Sequence, residues 1–145
     1  MREIKFRAWE PLNKDMIYFD GFIPFQISER YIEGALNSKN QEKRYLTIMN
    51  FDAIEIMEYS GLKDNKRTKE YPEGQEIYED DICKYSYMNP LNNQQIYYMW
   101  IVKYENGMWW LREITGKQYY DASLFLKFNQ IEVIGNIYEN PELLV

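Results

Sequence analysis

Apolar and charged positions alternate from Glu3 to Trp9: Ile4, Phe6 and Ala8 fall on one side, Lys5, Arg7 and Trp9 on the other. That period of two is the mark of a strand. Pro11-Leu12-Asn13-Lys14 reads as a turn and Met16 to Phe19 as a second short strand, so the chain opens on a predicted hairpin. Gly21 and Pro24 then break the pattern. From Ser28 to Leu36 the period is ambiguous. Ser28 suits a helix cap, with Tyr31, Ile32, Ala35 and Leu36 on one face, but Gly34 counts against a helix. Asn37 to Arg44 is polar and reads as a loop, Tyr45 to Met49 as an extended segment, and Ala53 to Tyr59 as a strand.

The second half is punctuated more sharply. Gly61 to Gly74 reads as a long connection carrying Lys63, Lys66, Arg67 and Lys69, followed by Gln75 to Tyr78 and Asp81 to Tyr87 as a strand pair or one bent strand. Asn89 to Gln94 reads as a turn. Ile96 to Glu105 and Met108 to Ile114 are apolar-rich runs joined by Asn106-Gly107. Asn-Gly suits a tight turn with positive φ at both central positions, so these runs are a predicted hairpin. A helical turn is expected near Asp121 to Leu124, a last strand over Ile131 to Tyr138, and a final helical turn started by Pro141.

Composition narrows the class. At 145 residues, 46% hydrophobic and 28% charged, the chain has the balance of one globular domain. Its 14 Tyr and 4 Trp favour strands and supply more amphipathic surface than a core requires, as at interfaces. A single cysteine, Cys83, rules out an internal disulfide, and the N-terminal alternation leaves no apolar signal core. The longest apolar run, Ile96 to Val102, is too short to span a bilayer. A cytoplasmic location is the expectation. A net charge of −6 disfavours a surface that tracks nucleic acid throughout, though not a local basic patch.

Candidate chemistry is thin. There is no histidine, which removes His bases, His metal ligands and any Cys–His nucleophile. Glu76, Glu79, Asp80 and Asp81 are an oxygen-rich cluster of the kind that holds magnesium or calcium. Their spacing fits no calcium loop, strand alternation separates Asp80 from Asp81, and turn capping is the plainer reading. Lys84 beside Cys83 would activate a thiol only if it lay against the sulfur. A small buried hydrophobe is the ordinary role of a free cysteine. No serine elbow, phosphate loop or dinucleotide glycine pattern occurs.

The aromatic run Tyr97, Tyr98 and Trp100 faces Trp109 and Trp110 across the predicted hairpin turn, with Lys103 and Arg112 interleaved. Aromatics with cations stack single-stranded bases, but Tyr, Trp and Arg also dominate protein hot spots. The candidate interaction surface is therefore Tyr97, Trp100, Lys103, Trp109, Trp110 and Arg112, with the loop cations Lys63, Lys66 and Arg67 as a second patch. Glu70 and Glu73 follow that loop closely, so a solvated loop of mixed sign is its default.

Four phrases carry a family resemblance. REIKFRAW at residues 2–9, IMEYSGLKD at 56–64, EIYEDDICKY at 76–85 and VIGNIYENPELL at 133–144 occur in the order found in the YopX family of phage and prophage proteins, which the chain resembles over most of its length. The connection from Asn65 to Gln75 is longer than in that family, and Asp80 stands where the family often has Gly. Asp tolerates a left-handed conformation better than most residues, so the turn is expected to survive. The resemblance implies a small Src-homology-type barrel in the C-terminal part; it implies no activity.

The combined expectation is a mainly β chain with minor α. One domain, 1–145, has an N-terminal β-hairpin region at 1–58 and a small barrel at 59–145. The expected role is a phage or prophage accessory protein, not an enzyme and without cofactor. It would bind a host or phage protein or associate with itself; a nucleic-acid-binding modulator is the alternative and a metal-dependent hydrolase the weakest reading.

Overall fold

The computed structural model describes residues 3–11, 14–27, 31–37, 43–49, 55–115 and 121–144, with residues 19–49 described by backbone alone. The protein is mainly β, built on two antiparallel sheets, one of them a curled half-barrel. The chain divides into two units, Met1–Tyr59 and Ser60–Val145.

In unit 1, β1 (Phe6–Glu10) pairs with β2 (Asp15–Ile27), the hairpin that the alternation predicts, in the register Phe6 to Phe19 and Glu10 to Asp15. β3 (Tyr31–Asn37) and β4 (Lys43–Met49) extend the meander, and β5 (Glu55–Lys63), which belongs to this unit as far as Tyr59, flanks β1 on its other side. One expectation is corrected here and one ambiguity is resolved. β2 does not stop at Phe19 but runs on through Gly21 and Pro24, and the β2–β3 register shifts between Asp20 and Ile23 and again between Pro24 and Gln26. Irregularities of this kind let a strand carry a residue that cannot donate to the ladder. The 31–36 segment is strand, not helix, since pairing on both sides with β2 and β4 overrides a weak helical period. The Ser28 cap and most of the 37–44 loop lie outside the described residues. Ala8, Met57 and Tyr59 are buried, as is Arg7, whose Nε donates to Met57 Sδ at 3.4 Å.

In unit 2, β6 (Glu76–Tyr78) follows the connection, and β7 (Asp81–Met88), β8 (Gln95–Glu105), β9 (Met108–Glu113), β10 (Ala122–Ser123) and β11 (Ile131–Asn136) form a five-stranded sheet in the order β10-β9-β8-β7-β11. The Asn106-Gly107 hairpin is present, with φ of 52° and 76° at its two central residues. The helical turn expected near Asp121 sits slightly later, as α1 (Leu124–Lys127), which seats only Leu124 in the core. A 3-10 turn at Pro141–Leu144 occupies the place expected for the final helical turn.

Alternation sorts the sheet. The inner face contributes Cys83, Trp100, Val102, Leu111, Ala122 and Ile131 to one core with Ile77 and Leu124. Each of the larger aliphatic side chains among them contributes roughly 1.5–3 kcal/mol when taken from water. The buried Cys83 belongs to this core, as expected of a lone thiol.

Candidate interaction surface

The hairpin register divides the sequence-predicted candidates between two faces. Trp100 pairs with Cys83 and Glu113, Val102 with Leu111, and Tyr104 with Trp109; these positions share the inner face. Ile101 with Arg112, Lys103 with Trp110, and Glu105 with Met108 share the outer face, as does Tyr97 opposite Ser86. Tyr97 and Trp100 are three residues apart, an odd spacing, and so cannot lie on one face of a regular strand. The candidate surface read from the sequence thus loses two members. Trp100 is 1% exposed in the core, and Trp109 packs on that core with its ring 5.1 Å from the ring of Tyr104.

What remains outside is a mixed apolar and charged patch. Tyr97 is 45% exposed, and Met88 and Met108 are also exposed, with Met99, Ile101 and Trp110 half-buried among them. Its cations are matched within the molecule. Lys103 Nζ donates to Asp80 Oδ1 at 2.6 Å, Arg112 Nη2 to Glu105 Oε2 at 2.9 Å, and Lys84 Nζ stands 5.4 Å from the Tyr97 ring centroid. Trp110 Nε1 donates to the Glu105 carbonyl at 3.3 Å, so the indole is fixed at the turn end of the patch.

The loop cations behave likewise. Lys63 pairs with Glu73 at 3.3 Å, Lys66 with Glu132 at 3.3 Å, and Arg67 Nη1 donates to the Asp64 carbonyl at 2.7 Å. Centring this loop is a residue the sequence does not single out. Asp64 is 1% exposed, and its carboxylate accepts the backbone N–H groups of Lys66, Gln75 and Val133 at 3.2, 2.8 and 2.8 Å.

The acidic cluster is taken apart by the turn it forms. Asp80 adopts φ 66°, the left-handed conformation expected there, and its carboxylate accepts Lys103 Nζ and the Tyr138 hydroxyl, the latter at 3.0 Å. Asp81 caps the Tyr78 N–H at 2.8 Å, and Glu76 accepts the Tyr78 hydroxyl at 3.0 Å. Glu79 is half-buried. Among the described residues no group of three or more acidic or cysteine side chains is gathered as metal ligands, and no helix is long and apolar enough to cross a membrane.

The inner face carries a second feature that the sequence pattern does not single out. Trp100, Tyr98, Tyr85 and Tyr87 stand as one stacked row across β7 and β8. Trp100 to Tyr85 is 5.5 Å between centroids, Trp100 to Tyr98 6.1 Å, Tyr85 to Tyr87 5.8 Å and Tyr87 to Tyr98 6.4 Å, with ring planes 7–30° apart. The row starts in the core at Trp100, whose Nε1 has no hydrogen-bond partner, and ends at Tyr87, 37% exposed. Its signal in the sequence is aromatic residues two apart, Tyr85–Tyr87 and Tyr98–Trp100, on two neighbouring strands.

A curled antiparallel half-barrel, with one short helix and turns pinned by buried Asp and Asn side chains, defines a small, mainly β protein. The chain belongs to the YopX family, whose model, described as YopX protein, matches residues 5–145. Two solved structures are similar over 100% of this chain and 100% of their own, each with a TM-score of 0.60. They are the crystal structures of protein EF1440 from Enterococcus faecalis, at 25% identity, and of protein yopX from Bacillus subtilis, at 20%. No curated protein sequence matches the chain.

The phrases that carry the family likeness have structural work in this chain. Asp64 ties the end of the second phrase to Val133 in the fourth. Asp80 of the third holds Tyr138 of the fourth, and its carbonyl accepts the Ile137 N–H at 3.1 Å. Asn136 Oδ1 accepts the N–H groups of Tyr138 and Glu139, while Asn140 Oδ1 accepts that of Asn136. These residues specify the half-barrel, and none of them lies among the interaction-surface candidates.

Proposed function

We propose that this protein is a non-enzymatic binding module, an accessory protein of a phage or prophage that holds a protein partner on the outer face of its half-barrel. One observation carries the reading: every candidate cation on that face already has an acidic partner or an aromatic ring, while Tyr97, Met88 and Met108 remain exposed. A phosphate backbone would have to break those pairs, and the net charge of −6 opposes it. A protein partner gains from the same arrangement, because hot spots combine exposed aromatic and sulfur-bearing side chains with oriented arginine. The absence of histidine from the chain and the dispersal of the clustered carboxylates into turn hydrogen bonds support a role without turnover.

Affinity capture of the tagged full chain from bacterial host lysate, with and without nuclease, tests this. A protein retained after nuclease, and lost with a Tyr97→Ala/Trp110→Ala variant, is the expected result. Capture that disappears with nuclease moves the reading to nucleic acid, and robust turnover in a broad substrate screen ends the non-enzymatic part.

A further inference from the structure

The two sheets end on four strands, β4, β6, β10 and β11, and three of these ends are short or covered. β6 has 3 residues and β10 has 2, too few to template another strand. β11 is blunted by the connection that precedes β6: the Ile131 carbonyl accepts the Asn65 N–H at 3.1 Å, and the Val133 N–H donates to the Asp64 carboxylate at 2.8 Å. β4 differs from all of them. It has 7 residues, pairs with β3 along its whole length without a register shift, and contains neither proline nor glycine. Among the described residues no strand lies on its other side. A long, regular, uninterrupted edge is the arrangement that natural sheets avoid unless something pairs with it.

We infer that β4 is where a second copy of this chain joins, by antiparallel pairing of β4 with its copy about Leu46. This goes beyond the proposed reading and rests on it only in taking the chain to act by binding. The register follows from the sequence of the strand. Centring the twofold on Leu46 uses all 7 residues, setting Lys43 opposite Met49, Arg44 opposite Ile48 and Tyr45 opposite Thr47 of the copy. The two Lys43-Arg44 ends then lie at opposite ends of the joint. The two Lys43 positions are about 20 Å apart at the rise of an antiparallel strand. That is beyond the screening length of ~8 Å at physiological salt, so the only charges in the strand do not oppose the pairing. A C2 joint of this kind is self-complementary and closes, giving a dimer rather than a fibre.

The test is the molar mass of the full chain by light scattering across a dilution series. The unaltered chain is expected to give a dimer. Tyr45→Lys/Thr47→Lys, which sets like charges opposite each other, is expected to give a monomer. Tyr45→Glu/Thr47→Lys, which sets opposite charges there, is expected to regain the dimer. A monomer throughout for the unaltered chain overturns the inference, as does a dimer in both variants or a failure of the second to regain it with an unchanged circular dichroism spectrum. Should either variant lose that spectrum, Leu46→Cys decides. Directly opposed strand positions have Cα atoms ~4.5–5.5 Å apart, within disulfide reach, so mild oxidation yields a covalent dimer in this register and none otherwise. Capture through the outer face of the half-barrel and the mass of the chain are read separately, so either proposal can fail alone.

Discussion

Asp64 gathers three backbone amides that come from three places in the chain, at Lys66, Gln75 and Val133. Removing the carboxylate leaves those N–H groups without an acceptor, two of them at the edge of the sheet and its connection. Asp64→Ala is expected to lower stability by about 3 kcal/mol, and Asp64→Asn, which keeps one acceptor oxygen, by about half as much; urea denaturation midpoints compare the two. Gly135 is constrained in a different way, since a Cβ there would collide with Asn140 Oδ1, the atom that accepts the Asn136 N–H. Gly135→Ala is expected to cost ~1–3 kcal/mol by forcing that side chain aside, readable in the same titration. Neither constraint is legible in the sequence. Asp64 sits in a run of charges that reads as a solvated loop, and its partner Val133 is 69 residues away. Asp80 is legible, because the family's preference for glycine there announces a left-handed residue, and φ is 66°.

The β8–β9 hairpin shows what local chemistry settles by itself. Asn-Gly predicts the turn, and the structure places both residues at positive φ. Gly107 has φ 76°, and a β carbon added there would have nothing within 4 Å, so Gly107→Ala meets no neighbour. Its cost is conformational alone and is expected at ~1–2 kcal/mol, while Asn106→Gly is expected to stay within a few tenths; thermal melts of the two variants separate these outcomes. The same hairpin shows where nearness along the chain misleads. It groups Tyr97 with Trp100, although the period of two already assigns them to opposite faces. β3 is hard to read for another reason: Tyr31, Ile32, Ala35 and Leu36 satisfy a helical period, and only pairing with β2 and β4 decides for strand. Such pairing is non-local, and no window of the sequence contains it.

For the whole molecule, the division at Tyr59 places the only cysteine in unit 2, at 0% exposure in its core. Cys83 is therefore a built-in reporter of that unit. A thiol reagent is expected to leave the native chain unlabelled and to react over the denaturant range in which the half-barrel opens. Labelling of the native protein at the rate of a free thiol would contradict the packing described. The pairing of surface cations with acids also bears on behaviour at this scale. Apart from Lys103–Asp80, whose carboxylate is buried and little screened, these pairs are exposed and contribute little each, so raising the salt concentration is expected to leave the melting temperature of the chain nearly unchanged. A fall of many degrees would assign the charges a larger share of the stability than their exposure allows.

The row from Trp100 to Tyr87 has a further consequence, for light. Four rings held within 30° of parallel at 5.5–6.4 Å act as coupled chromophores, not as independent ones. Their transitions mix, and excitation absorbed by the tyrosines passes to the indole at the buried end. The near-ultraviolet dichroism that this strand pair, β7 with β8, contributes should therefore fall when Tyr98 is replaced by Leu. Because the row reaches solvent at Tyr87, anything that settles on that rim will be seen in the emission of a tryptophan it never touches.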